Sequence, residues 1–248
     1  MRTKFLVDFD GTAATEDIGH QILVHFGNRE VLDIDERWVA GTISTRERAE
    51  TQYALMRITE DALVEFLDQF SLDPFFGEFC RYCQSAGIEL EIVSDGFDYY
   101  IHRLLTQAGL AFIPVTCNKF EFVDGRIVLG FPHEDTEHSM LGVAKNLLIK
   151  QAKIDFDQVG YAGDADSDKP AAKGTDLLFA KTKKALAKHC DSEGISYIPY
   201  TNFGDIVSAM TGLWDRVDRR IPSTGSFYEL ARTFERVEIT GGRIAMTA

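Results

Sequence analysis

The sequence predicts an α/β protein: a Rossmann-like, three-layer core built on a parallel sheet, with an all-helical insert after the first strand. Three observations predict it. From about residue 75 onward, short apolar runs that read as strands alternate with stretches of helical periodicity. Three apolar runs, the first of them at the start of the chain, end in polar clusters, at Asp8 and Asp10, at Ser94, and at Asp164 with Asp168. Between the first two strands, from about Asp17 to Phe70, the pattern is helical and no strand is evident. Alternating strands and helices imply parallel strands joined by right-handed crossovers.

Taken in order, Lys4 to Phe9 is the first strand, an unbroken apolar run centred on Phe5, Leu6 and Val7, as expected of a strand covered on both faces. In the insert, Leu63, Phe66, Leu67 and Phe70 recur at helical spacing, and Glu47 to Met56 is rich in helix formers. Leu72-Asp73-Pro74 closes it, because proline disfavours helix in the residue before it. Phe75 to Ala86 is a helix stopped by Gly87, followed by a strand over Ile88 to Val93. Phe97 to Ala108 is a helix with Tyr100, Ile101, Leu104, Leu105 and Ala108 on one face. Ala111 to Cys117 reads as the next strand, and Phe120 to Leu129 as a hairpin about Asp124-Gly125. Met140 to Ala152 and Lys181 to His189 read as helices, and Gln158 to Ala162, Leu177 to Ala180 and Ile195 to Ile198 as strands. Asp205 to Met210 is a further helix; beyond it Phe227 to Phe234 patterns as a helix and Val237 to Met246 as a hairpin about Gly241-Gly242. The expected organisation is a core of residues 1–13 and 74–212, a helical cap over 14–73, and an extension over 213–248 used for packing or an oligomer contact.

Composition narrows the function. The 248 residues are 45% hydrophobic and carry a net charge of −13. That charge argues against nucleic acid, whose binding rests on neutralising phosphates. It does not forbid a small anionic substrate, because local cations and a bound metal outweigh screened surface charge. No apolar run reaches membrane-spanning length, and no secretory leader is visible at the start. Cys80, Cys83, Cys117 and Cys190 show no disulfide spacing, so reduced thiols in a cytoplasmic protein are the expectation.

In open parallel sheets ligands bind beyond the carboxyl ends of the strands, and there the polar clusters converge. Their types fit phosphoryl transfer, which needs positioning and neutralisation of spreading negative charge. A carboxylate such as Asp8 can be the nucleophile. Mg²⁺ favours carboxylate oxygens and phosphate, and Asp8 and Asp164 can supply the carboxylates. Lys145, near a helix start, would meet the transferring oxygens. Backbone N–H groups after Asp8, and those from Ser94 through Asp95 to Gly96, could cradle phosphate.

Asp8-Phe9-Asp10-Gly11-Thr12, Ser94, Lys145 and Gly163-Asp164-Ala165-Asp166-Ser167-Asp168 match, in order, four motifs. By them the chain resembles the haloacid dehalogenase superfamily over residues 4 to 210, with the insert at the place of its type 1 cap. The resemblance implies that Asp8 attacks phosphorus and that Asp10 protonates the leaving alcohol, then activates water. It implies that Ser94 and Lys145 bind the phosphoryl oxygens. Asp8, Asp164 and the backbone carbonyl of Asp10 would hold Mg²⁺, with Asp168 orienting Lys145 or a metal-bound water. Asp10 favours phosphatase over dehalogenase chemistry.

Within the superfamily the chain resembles the phosphoserine-phosphatase-like branch. It looks closest to the methionine-salvage phosphatases acting on 2-hydroxy-3-keto-5-methylthiopentenyl 1-phosphate, through Phe131-Pro132-His133, Glu137-His138 and Gly194 to Tyr200. It departs from relatives at Asp95, where many have glycine and where a solvent-facing side chain is expected, and in lacking cysteines over 132–142. Asp17 stands where phosphoserine phosphatases carry a glutamate for the substrate amino group. Asp17, Arg46 and Arg48 are the cap candidates for substrate contact.

Other features have plainer readings. Cys80-Arg81-Tyr82-Cys83 lies on a helix and reads as buried thiols, Asp166 as a solvated loop residue, and Lys181, Lys183, Lys184 and Lys188 as a solvated face. His133 and His138 either line the pocket or bond to backbone. Rival functions are phosphoserine or another small-metabolite phosphatase, a phosphomutase, and a catalytically silent module binding a phosphorylated metabolite. A monomer or homodimer fits each.

Overall fold

The computed structural model describes residues 2–134, 142–220, 237–240 and 243–246. In chain order the elements begin with β1 (Thr3–Val7), then α1 (Ile18–Phe26), α2 (Arg29–Val39), α3 (Thr45–Leu55) and α4 (Glu60–Leu67). Next come α5 (Phe76–Ser85), β2 (Ile88–Phe97), α6 (Asp98–Gln107), β3 (Val115–Val123) and β4 (Arg126–Gly130). The last part holds α7 (Lys145–Asp155), β5 (Gln158–Gly163), α8 (Lys169–Ala172), β6 (Leu177–Lys181), α9 (Ala185–Glu193), β7 (Ile198–Tyr200) and α10 (Phe203–Arg220). A separate antiparallel pair, β8 (Val237–Thr240) and β9 (Arg243–Met246), matches the hairpin expected there. The main sheet has the order β4-β3-β2-β1-β5-β6-β7. The pairs β1–β5, β5–β6, β6–β7 and β2–β3 are parallel, and β4 returns antiparallel to β3. This is the α/β architecture the alternation predicts.

The chain forms two compact units. The first comprises the residues up to Asp8, 73–91 and those from Lys145 onward. Its core is aromatic: Phe5 packs edge-on to Phe79 with centroids 5.1 Å apart, and Phe76 packs edge-on to Phe203 at 4.8 Å. Edge-to-face packing suits the ring quadrupoles. Asp73, buried, accepts hydrogen bonds from the N–H groups of Phe75 and Phe203 and so ties α5 to α10.

The second unit comprises Phe9–Leu72 and Ile92–Ala144. Helices α1 to α4 lie here, each opened by an N-cap that accepts a backbone N–H: Asp17, Asn28, Ser44 and Thr59. Ser44 and Glu47 form a reciprocal capping box. Tyr53 packs edge-on to Phe97 at 5.6 Å and to Phe120 at 5.4 Å. The β3–β4 turn has Asp124 and Gly125 at φ 51° and 72°, the conformation a two-residue hairpin requires.

Several expected elements shift, each for a local reason. β3 starts at Val115, not Ala111, and runs through the predicted hairpin's first arm. Before it, the Ile113 N–H turns back to the Leu110 carbonyl. α7 starts at Lys145, not Met140; residues 142–144 are not helical, and 140–141 lie outside the described residues. α9 starts at Ala185 because Lys183 adopts φ 65°, which no helix continues. The Ile195 N–H bonds back to Cys190, completing the end of α9, so β7 starts at Ile198. The helix expected over 227–234 lies outside the described residues.

Candidate active site

β1 and β5 are in parallel register, Val7 opposite Ala162, and the Asp8 N–H donates to the Ala162 carbonyl at 2.9 Å. Asp8 and Asp164 therefore leave neighbouring strands at the same end of the sheet. Lys145, the first residue of α7, brings its ammonium to this end. Its Nζ stands 2.7 Å from Asp8 Oδ1, 2.6 Å from Asp168 Oδ1 and 3.4 Å from Ser167 Oγ. The lysine is 1% exposed and Asp168 is fully enclosed.

Asp168 is held on both oxygens. Oδ1 also accepts the Tyr161 hydroxyl at 2.6 Å, and Oδ2 accepts the N–H groups of Asp164 at 2.8 Å and Ala165 at 3.0 Å. Gly163 makes this possible, since a Cβ there would collide with the Asp168 carboxylate and crowd the Tyr161 ring. Asp168 thus orients Lys145 and shapes the loop that carries Asp164.

The electrostatics leave an excess of negative charge. Burial, then Asp168, pushes the Asp8 carboxyl well above its usual range; Lys145 opposes this and Asp164 adds to it. One oxygen from each of Asp8, Asp164 and Asp168 can be chosen so that all lie within 4.8 Å of one another. Such a hard-oxygen set suits Mg²⁺. Because both Asp168 oxygens are engaged, Asp8 and Asp164 are the carboxylates suited to hold it. One lysine departs from the solvated face expected of it: Lys181 is half-buried, its pKa lowered by burial against the opposing pull of Asp164. Lys184 is exposed as expected, with its Nζ 3.6 Å from Asp164 Oδ2. Asp166 is exposed and paired with Lys169, as a solvated loop residue would be.

In the other unit, Asp10 sits under the start of α1. Its Oδ1 accepts the N–H groups of Ile18 at 2.9 Å and Gly19 at 3.3 Å, and its Oδ2 accepts the Tyr100 hydroxyl at 2.6 Å. Burial, then the nearby Asp17, pushes Asp10 up to about 7, against the lowering effect of these donors. A carboxyl there can hold or release a proton at neutral pH, as a general acid and base must. Ser94 is buried, and its Oγ accepts the Gly96 N–H at 2.9 Å. Asp95 does not face solvent as expected: its carboxylate accepts the Val143 N–H at 2.7 Å, and its carbonyl accepts Asn118 Nδ2 at 2.7 Å. It thereby anchors the segment that leads into Lys145.

The cap candidates have partners of their own. Asp17 caps α1 by accepting the His20 N–H at 2.8 Å. Arg46 pairs with Glu50 and Glu134 and lies over the Phe131 ring. Arg48 pairs with Asp35 at 2.6 Å and stacks on Trp38 at 4.5 Å, which ties α3 to α2. His133 is exposed, and Glu137 and His138 lie outside the described residues. Cys80 and Cys83 are buried free thiols on α5, as expected. Sequence reasoning missed Tyr161 and Tyr100. The available signal was a phenol placed where its body must be buried, since a buried tyrosine hydroxyl needs a partner.

The chain is thus an α/β protein with a parallel sheet that gathers buried carboxylates and one lysine beyond the ends of neighbouring strands. The chain belongs to the haloacid dehalogenase-like hydrolase family, whose model matches residues 5–173. It is 28% identical over 217 residues to the 2-hydroxy-3-keto-5-methylthiopentenyl-1-phosphate phosphatase of Exiguobacterium sp., covering 86% of this chain and 99% of that one. It is 30% identical over 211 residues to Pdp3-interacting factor 1 of Schizosaccharomyces pombe, covering 80% of this chain and 90% of that one. In fold it is similar to a substrate-bound phosphoserine phosphatase, with a TM-score of 0.65 at 19% identity over 84% of this chain and 98% of that one.

Proposed function

We propose that the protein is a Mg²⁺-dependent phosphomonoester hydrolase that works through a phosphorylated Asp8. The observation that carries this reading is the buried group in which one ammonium, Lys145, is shared by Asp8 and Asp168. Such a lysine lets a carboxylate meet a phosphate dianion by offsetting the repulsion between them. Asp8 attacks phosphorus, a P–O bond to Asp8 forms, and the bond to the leaving oxygen breaks. Asp10, two residues along the chain, gives its proton to that oxygen. A water then attacks phosphorus, Asp10 takes the water's proton, and the Asp8 carboxylate is released with inorganic phosphate. Ser94 and Lys145 bind the phosphoryl oxygens. Asp8, Asp164 and the Asp10 carbonyl would hold Mg²⁺, which neutralises charge on the phosphoryl group.

The favoured substrate is 2-hydroxy-3-keto-5-methylthiopentenyl 1-phosphate. The match to a phosphatase of that name over nearly its whole length supports this. Phosphoserine is the alternative within the same chemistry, and the short Asp17, committed to capping α1, weighs against it. The insert over 14–73 is the part that selects the leaving group. Phosphate release from a panel of esters that includes both compounds, with and without Mg²⁺, tests the assignment. The highest kcat/KM on the salvage ester supports it, and the highest on phosphoserine replaces it with the alternative.

A further inference from the structure

Asp10 is held at three points within its own unit, and one of them comes from far along the chain. Two backbone N–H groups at the start of α1 bind Oδ1. The third holder is the Tyr100 hydroxyl, 90 residues away in sequence, which donates to Oδ2 at 2.6 Å. Tyr100 is 2% exposed and packs beside Phe9, with ring centroids 6.1 Å apart. Its hydroxyl reaches Asp10 by passing over the backbone of Gly96. A Cβ on Gly96 would collide with that hydroxyl and stand 2.5 Å from Asp10 Oδ2. The phenol on α6 and the bare backbone at the end of β2 therefore form one device: the glycine leaves the space and the phenol fills it.

We infer that Tyr100 is a positioning residue for Asp10, fixing the carboxyl in the orientation from which it delivers its proton to the leaving oxygen, and that Gly96 serves this contact. With Oδ1 alone held, the carboxyl can still swing about its own Cβ–Cγ bond. Pinning Oδ2 removes that freedom before substrate arrives, and a proton donor fixed in place acts without first being ordered. The inference rests on the hydrolase reading above, because it assigns Tyr100 to the proton-transfer step of that reaction.

The test separates proton delivery from everything else. Phenyl phosphate has a leaving group that needs protonation; 2,4-dinitrophenyl phosphate has one that does not. The quantity to compare is kcat/KM, which reports events up to phosphorylation of the enzyme and excludes hydrolysis of the intermediate. Tyr100→Phe keeps the ring and removes only the hydroxyl. It is expected to lower kcat/KM for phenyl phosphate about ten- to a hundredfold, part of what a positioned general acid contributes, while the dinitrophenyl ester is nearly unaffected. Gly96→Ala, whose added carbon would crowd both the Tyr100 hydroxyl and Asp10 Oδ2, is expected to lower kcat/KM for phenyl phosphate at least as much as Tyr100→Phe. Equal losses on both esters in Tyr100→Phe, or no loss on either, would overturn the inference. Failure of the wild-type protein to hydrolyse either ester would instead overturn the hydrolase reading, and this assignment with it.

Discussion

The ammonium of Lys145 bridges two carboxylates, standing 2.7 Å from Asp8 and 2.6 Å from Asp168, with all three side chains buried. Asp168 is in turn fixed by Tyr161 and two backbone N–H groups, so the lysine is aimed by a rigid neighbour. Asp168→Asn is expected to lower kcat about ten- to a hundredfold, the usual cost of losing a partner that orients a functional group. Lys145→Met is expected to destabilise the fold by about 3–5 kcal/mol at neutral pH, because it strands buried charge. Steady-state kinetics check the first. Urea unfolding checks the second, and the deficit shrinks at acid pH as the stranded Asp8 carboxyl, already raised by burial, protonates.

Asp10 gives a pH dependence of defined sign. Its pKa is raised to about 7 from the usual 3.8. The folded state therefore holds this proton more tightly than the unfolded chain. The resulting stability is complete below the unfolded pKa and is lost as pH rises through the folded one. Asp10→Asn removes the effect, so its stability relative to the wild type is expected to improve between about pH 4 and pH 7. Unfolding curves at both ends of that window check it. For esters with poor leaving groups, kcat/KM of the wild type is expected to fall above about pH 7, as the acid form is depleted.

Gly163 is where the Asp168 carboxylate passes closest to backbone. Gly163→Ala is expected to cost about 1–3 kcal/mol, the range for forcing an extra carbon into a packed site. The same change displaces Asp168 from the two N–H groups that hold it, so activity falls together with Tm. Thermal unfolding and phosphate release on the same preparation check both.

The thiols are expected to be inert in the folded state. Cys80, Cys83, Cys117 and Cys190 are all buried and free. Burial pushes Cys80 and Cys117 up to about 12 and Cys190 to about 11, and raises Cys83 as well. Thiolate is the reactive form. Titration with a thiol-specific aromatic disulfide is expected to label the native protein slowly and to count four thiols after denaturation.

What was legible in the sequence follows from what is local. Strand ends, caps and the Asp124-Gly125 turn are written in neighbouring residues. The gathering of Asp8, Lys145, Asp164 and Asp168 is legible because their types, order and place at strand ends match one chemistry. Boundaries shift where bonds outside the periodic pattern decide them: Asp95, distant in sequence, holds Val143 just before α7, and Ile195 closes the end of α9 by bonding back to Cys190. In the sequence Tyr100 is one more position on the apolar face of a helix, since no local pattern reveals a partner 90 residues away. Arg46 and Arg48 stand out as candidates in the sequence by charge alone; their partners Glu50, Glu134 and Asp35 emerge only on folding.

In the proposed reaction Asp8 carries the phosphoryl group. Phosphate release should be measured for the wild type and Asp8→Asn, over the ester panel, with Mg²⁺ and with chelator. Mg²⁺-dependent release is expected of the wild type, with release by the folded variant falling to background. Release that persists undiminished in Asp8→Asn would contradict this, because the oxygen that must attack phosphorus would be gone.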